Sequence, residues 1–156
     1  MASIQQYYGK SPYFQQYAGA IQHTYDQEWE FLIDLDVHLI RLIVGWLGLE
    51  REIRFASDVG GAGAGPTERL IHICQSLDAE VFYEGAAGAD YLDEDQFKQH
   101  GIHLEYQQYD HPEYHQLHGD FLAYMSVLDL LLNHGPDSLA ILTHKLTVET
   151  TIQSSR

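Results

Sequence analysis

Positive charge is scarce: 8 Lys and Arg stand against 23 Asp and Glu, a net charge of −15 at pH 7. A chain with that balance repels phosphate backbones and anionic membrane surfaces, so nucleic acid is not an expected partner. Cysteine is nearly absent. Cys74 alone, in the apolar run LIHIC, rules out an intramolecular disulfide and points to a buried, inert thiol in a reducing compartment. No apolar run is long enough to span a bilayer, because the longest is interrupted by Asp34, Asp36, His38 and Arg41. The opening MASIQQYYGK has no stretch resembling a signal peptide. The expectation is a cytoplasmic protein without membrane insertion.

A phosphate-binding signature is also missing. GGAGAG, Gly60 to Gly65, follows an expected strand and precedes an expected helix, but no GK[ST] follows it. Asp78 and Glu80 only loosely occupy the place of a ribose-binding acid, and a flexible linker is the competing reading. No nucleotide or other cofactor is called for.

What the chain does have is enough apolar material for one hydrophobic core. Its 156 residues are 45% hydrophobic and 12% aromatic, which suits a single globular domain over 1–156. Residues 1–50 read as helical: an aromatic, glutamine-rich start that breaks near Gly9, then a long helix in Glu28 to Leu49. Within it Leu32, Leu35, Leu39, Leu42, Ile43 and Trp46 recur at helical spacing, which suggests a central element. Residues 51–145 read as alternating strands and helices, with a frayed tail over 146–156. The strands are EIRFAS, EVFYEG and IHLEYQQY, and the helices TERLIHICQSLDA, DEDQFKQHG, FLAYMSVLDLLLNHG and PDSLAILTHKL. The expected fold class is α/β: a small, mostly parallel three-stranded sheet flanked by helices, with an N-terminal helical segment.

In a parallel sheet, ligands bind beyond the carboxyl ends of the strands. Three segments would meet there: Ser57 and Asp58 after the first strand, Gly85, Gly88 and Tyr91 after the second, and Tyr109 to Gln116 after the third. The glycines of EGAAGADYL allow a close backbone approach, although a tight turn explains them equally well. His111, His115 and His118 are spaced so that a helix would align them for a metal, and an irregular crossover is the rival reading. Ser126, Asp129 and Asn133 form a polar stripe on an apolar helix, which either lines a pocket or braces neighbouring loops.

Several stretches carry a family likeness: SPYF, RLIHICQSLDA, GAAGADYLDEDQF, GIHLEYQQY, HPEYHQLHGDF and MSVLDLLLNHG. With them the chain resembles the WbqC-like proteins, bacterial proteins often encoded with O-antigen and other surface-polysaccharide genes. The resemblance implies a transferase role in sugar or polysaccharide assembly, including glycine or other acyl-group transfer. It extends over the later two thirds of the family pattern, whose longer N-terminal part with a Q-P-x-Y-x-P-type motif has no counterpart here. The pattern H-P-x-Y-x-Q-L uses His111, Tyr114 and Gln116, which favours a polar loop over a metal triad, so no metal ligands are assigned.

The combined expectation is a group-transfer protein acting on a small-molecule sugar or amino-acid substrate. His111 would be its acid or base, oriented by Asp58 or Asp110. Ser57, Gly85, Gly88, Tyr91, Tyr109, Tyr114, Gln116, Ser126, Asp129 and Asn133 would line the substrate site. The alternative is a non-catalytic binding or assembly subunit, as a homo-oligomer or as a chain lacking the family's N-terminal segment; its tyrosine-rich start suggests an interface.

Overall fold

The computed structural model describes residues 1–60 and 65–144. The centre of GGAGAG and the tail expected over 146–156 lie outside the described residues. Along the chain run helices α1 (Ala2–Tyr8), α2 (Phe14–Asp26), α3 (Leu32–Trp46), α4 (Ala56–Val59) and α5 (Pro66–Ser76), then strand β1 (Val81–Glu84). Helix α6 (Glu94–Gln99), strand β2 (His103–Tyr106) and helices α7 (Val127–His134) and α8 (Ser138–Leu142) come next. Short 3-10 turns occupy Ala86–Asp90 and Gly135–Asp137. The chain divides into two compact units, Met1–Arg51 with the residues from His111 onward, and Glu52–Asp110. The α/β part expected over 51–145 is thus divided at Asp110, and its residues from His111 onward belong with the N-terminal helices.

In the unit Glu52–Asp110, β1 and β2 pair in parallel with Val81 opposite His103 and Glu84 opposite Tyr106. The side chains alternate: Phe82 and Leu104 pack against a buried cluster of Ile71, Cys74, Leu92, Phe97 and Ile102, while Val81 and Tyr83 stay exposed. The Phe82 and Phe97 rings stack 5.6 Å apart. Local signals set the helices. Pro66 opens α5, with Glu68 accepting from the Gly65 N–H at 3.0 Å. Asp93 caps α6 by accepting from the backbone N–H groups of Asp95 and Gln96, and its bonds to Gln96 hold its carboxyl below the usual range.

The third strand is a correction: among the described residues the sheet has two strands. EIRFAS contributes none. Glu52 and Arg54 form an exposed ion pair with each other at 2.7 Å, and from Ala56 the backbone turns helical. Ser57 and Asp58 therefore follow no strand, and the premise of three converging strand ends does not hold.

In the other unit, Phe14, Tyr17 and Ile21 of α2 pack with Leu131 and Leu132 of α7, and a second cluster joins Tyr114, Leu130 and Ile141. Helix α7 is shorter than FLAYMSVLDLLLNHG suggests. Tyr124 adopts a positive φ of 60°, which stops any helix from Phe121, and Ser126 caps the start by accepting from the Leu128 N–H. At the other end Gly135 takes a φ of 52°, and its missing side chain leaves room for the Tyr13 ring. Helix α3, expected to be central, has Val37 as its one buried residue.

Candidate functional site

The densest polar constellation among the described residues gathers on Asp129, in the first turn of α7, where 5% of its surface is accessible. The Tyr114 hydroxyl donates to Asp129 Oδ2 at 2.9 Å, and Gln116 Nε2 donates to the same oxygen at 3.0 Å. Asn133 Nδ2, one turn on, donates to the Asp129 carbonyl at 2.8 Å and lies 3.4 Å from Oδ1. Gln116 also fixes the chain ahead of α7: its Nε2 donates to the Leu122 carbonyl and its Oε1 accepts from the Leu122 N–H. The irregular segment from Tyr114 to Leu122 is thereby tied to the helix that comes after it.

Tyr8, at the end of α1, completes the set. Burial, then the charge of Asp129 and a hydrogen bond to it, push its phenol from 10.0 up to about 12. The Tyr114 phenol is raised as well, first by burial; its contact with Gln116 opposes the shift and Asp129 adds to it. Both hydroxyls thus remain protonated donors across the physiological range. A buried carboxylate requires such donors, because an unpaired charge taken out of water costs several kcal/mol.

Asp129 also borders a cavity of about 280 Å3, whose wall includes Tyr7, Tyr8, Gln116, His118, Leu122 and Met125. His118 Nε2 donates to the Tyr7 carbonyl at 2.8 Å, so whenever the ring is neutral Nδ1 is the nitrogen without a proton. The cavity wall therefore offers the Asp129 carboxylate, the phenols of Tyr7 and Tyr8, the Gln116 carboxamide and the His118 imidazole.

The residues expected from the sequence fall into two groups. Tyr114, Gln116, Asp129 and Asn133 are brought together, and Ser126 caps the helix that carries Asp129. His111 packs next to them without lining the cavity: its ring centroid is 6.1 Å from Tyr114, 5.7 Å from Phe121 and 5.0 Å from Tyr124. Its Nδ1 donates to the Pro112 carbonyl at 2.9 Å. His111, His115 and His118 lie on no helix, and no cluster of three or more metal-ligating side chains occurs among the described residues.

Ser57, Asp58, Gly85, Gly88, Tyr91, Tyr109 and Asp110 belong to the unit Glu52–Asp110. There Ser57 donates to Asp58 at 3.2 Å, and Tyr91 lies 3.4 Å from Glu84 Oε1. The Gly88 N–H is bonded to the Gly85 carbonyl, and a Cβ on Gly88 would collide with Glu84, so this glycine is needed for packing. Tyr8 had no place among the residues expected from the sequence, and His118 was weighed there only as one of three metal ligands. Tyr8 sits far from Asp129 along the chain, with no local pattern linking them, whereas His118 stood in view within the histidine-rich stretch.

Residues 1–141 match the profile of the WbqC-like protein family. The chain belongs to that family. A similar curated protein is "Uncharacterized protein Rv1507c" of Mycobacterium tuberculosis, 30% identical over 133 residues. The match covers 84% of this chain and 57% of that relative, so the chain spans less than two thirds of the relative's length. No solved structure matches. For a WbqC-like chain, the H-P-x-Y-x-Q-L stretch gains a physical meaning here: its tyrosine and glutamine are the donors that hold the Asp129 carboxylate. Among the described residues no helix is long and apolar enough to cross a membrane.

Proposed function

We propose that this WbqC-like chain binds a small hydroxyl- or amine-bearing molecule, a sugar or an amino acid, over Asp129, as the substrate of a group-transfer reaction. The transfer chemistry, including glycine or other acyl transfer in surface-polysaccharide assembly, is what the family resemblance implies. The observation that carries the reading is the buried Asp129 carboxylate at the edge of a 280 Å3 cavity, with donors from α1 and the H-P-x-Y-x-Q-L segment converging on it. A carboxylate in that setting accepts hydrogen bonds from a hydroxyl and attracts an ammonium, while it repels an anion. On this proposal the Nδ1 of the neutral His118 ring, whose Nε2 is held on the Tyr7 carbonyl, takes the proton of the attacking hydroxyl or amine. In this reading the proton-carrying role expected of His111 passes to His118, and His111 supports the Tyr114 ring.

The test is ligand-induced stabilisation with a panel of amino acids, free sugars and sugar nucleotides. A ligand that binds only the folded chain raises its melting temperature, by about 2.7 kcal/mol of stability at a hundredfold excess over Kd. Met125→Trp, which fills the cavity from a partly exposed position, is expected to abolish that rise without touching the Asp129 network. A ligand that stabilises Met125→Trp as much as the parent binds elsewhere and sinks the reading. His118→Gln should retain binding and lose turnover.

A further inference from the structure

A second surface of the same unit stands apart from the polar cavity. On α3, Leu32, Leu35, Leu39, Leu42 and Trp46 are spaced alternately three and four residues apart, the period of a seam that packs knobs into holes against another helix. Within this chain the seam is incompletely covered: Leu32 is 71% exposed, and Ile33, Leu39 and Ile40 are exposed beside it. Its last four positions line an apolar groove of about 350 Å3, closed on the other side by Ile21, Trp29 and Leu128.

The polar atoms near this groove are largely engaged within the protein. The Thr24 hydroxyl donates to the Ala20 carbonyl and accepts from His38 Nε2, Trp29 Nε1 donates to the Thr24 carbonyl, and Ser126 Oγ accepts from Leu128. An occupant therefore has to offer apolar side chains. Charge selects it further. Asp26, Glu28, Glu30, Asp34 and Asp36 interleave in sequence with the groove residues, and no lysine or arginine occurs between Lys10 and Arg41. With α3 read as heptads from Leu32, Asp36 takes the e position that flanks the seam. A second copy would bring this acidic surface and its own −15 charge against another of the same sign.

We infer that α3 is the docking face for an amphipathic α-helix of a partner protein, apolar along one stripe and lysine- or arginine-rich beside it. The inference does not depend on what binds over Asp129.

The chain's two tryptophans, Trp29 and Trp46, both line the groove and report on its occupancy. The probe is a tryptophan-free peptide of about three heptads, with leucine at a and d and lysine at e and g. It is expected to shift the tryptophan emission saturably, while the same peptide with glutamate in place of lysine does not. Leu39→Asn, at an exposed position, should weaken binding about tenfold by removing an apolar contact. Asp34→Asn with Asp36→Asn should weaken it about fivefold and flatten its salt dependence. Leu32→Asn is a second variant should Leu39→Asn fail to fold by circular dichroism. Equal binding of the glutamate peptide, or binding indifferent to these apolar substitutions, overturns the inference. So does self-association of the chain that Leu39→Asn abolishes, which would give the face to a second copy.

Discussion

Helices α3 and α7 are alike in composition, both rich in leucine, and opposite in environment. In α7, Asp129, Leu130, Leu131, Leu132 and Asn133 are buried in succession, so leucine and polar residue alike are covered on every side. In α3, nearly twice as long, only Val37 is buried. Apolar content shows that a helix has surface to cover, yet it does not show whether the same chain supplies the cover. The polar residues are the better guide. Asp129 and Asn133 interrupt α7 where they have partners to bond, whereas Asp34 and Arg41 interrupt α3 where they meet solvent.

The contrast breaks most decisively by truncating one leucine on each helix. Leu131→Ala, at a site with no accessible surface, is expected to cost about 2–5 kcal/mol by lost transfer energy and an unfilled cavity. Leu39→Ala should remain within about 0.5 kcal/mol. Both lie in the same compact unit, so one urea titration by circular dichroism compares them. A cost for Leu39→Ala close to that of Leu131→Ala would mean that the α3 seam is covered in solution.

A second difference is electrostatic. The raised Tyr8 phenol favours folding as long as it stays neutral: its contribution is full below pH 10.0, where the unfolded phenol is also neutral, and is lost as pH rises toward about 12. Tyr114 acts in the same direction. Stability should therefore fall across that alkaline window by on the order of 2 kcal/mol beyond the parent's other losses. In Asp129→Asn, where the neighbouring charge is gone, the fall should begin at lower pH. Tyrosinate absorbance tracked alongside denaturation checks it, and an unmoved onset in Asp129→Asn would assign the shift to burial alone.

Much of the architecture was legible because it rests on local chemistry. The break near Gly9, the helical period of α5, the turn at Gly101 and the Gly135 stop are set by residues within a few positions of each feature. EIRFAS misled because Ile53 and Phe55 alternate with charged residues as in a strand, while a strand also needs a backbone partner, which is a tertiary condition. FLAYMSVLDLLLNHG misled in its first third, where Gln116 holds Leu122 and Tyr124 adopts a positive φ. The polar cluster on Asp129 was half visible: Asp129 and Asn133 stood out as polar residues on an apolar helix, and Tyr114 and Gln116 through the H-P-x-Y-x-Q-L pattern of the family resemblance. Tyr8 reaches Asp129 only through the packing of α1, which no sequence period encodes.

The glycines repeat the contrast on a smaller scale. Gly135→Ala places a Cβ 2.6 Å from Tyr13 Cε1 in a backbone with φ of 52° and ψ of −122°, and holding a residue with a Cβ in so sparsely populated a region costs roughly 1–3 kcal/mol by itself. Its melting temperature should fall, and Tyr13→Ala in the same background should recover the part due to the ring, leaving the backbone part. Persistence of the full loss would place all of it in the backbone.

Gly45, near the end of α3, is the opposite case. It is exposed and in helical conformation, and a Cβ there meets nothing within 4 Å. Gly45→Ala should therefore stabilise by about 0.5–1 kcal/mol, since alanine loses less backbone freedom on folding and no contact opposes it. If the α3 face receives a partner helix, the added methyl group also enlarges the surface beside Trp46. The gain in the isolated chain and the affinity for the leucine–lysine peptide can then be read on one variant. A stabilised Gly45→Ala that binds the peptide less tightly would mark the C-terminal end of α3 as a place of close approach, while unchanged affinity would confine docking to the Leu32–Leu42 part of the seam.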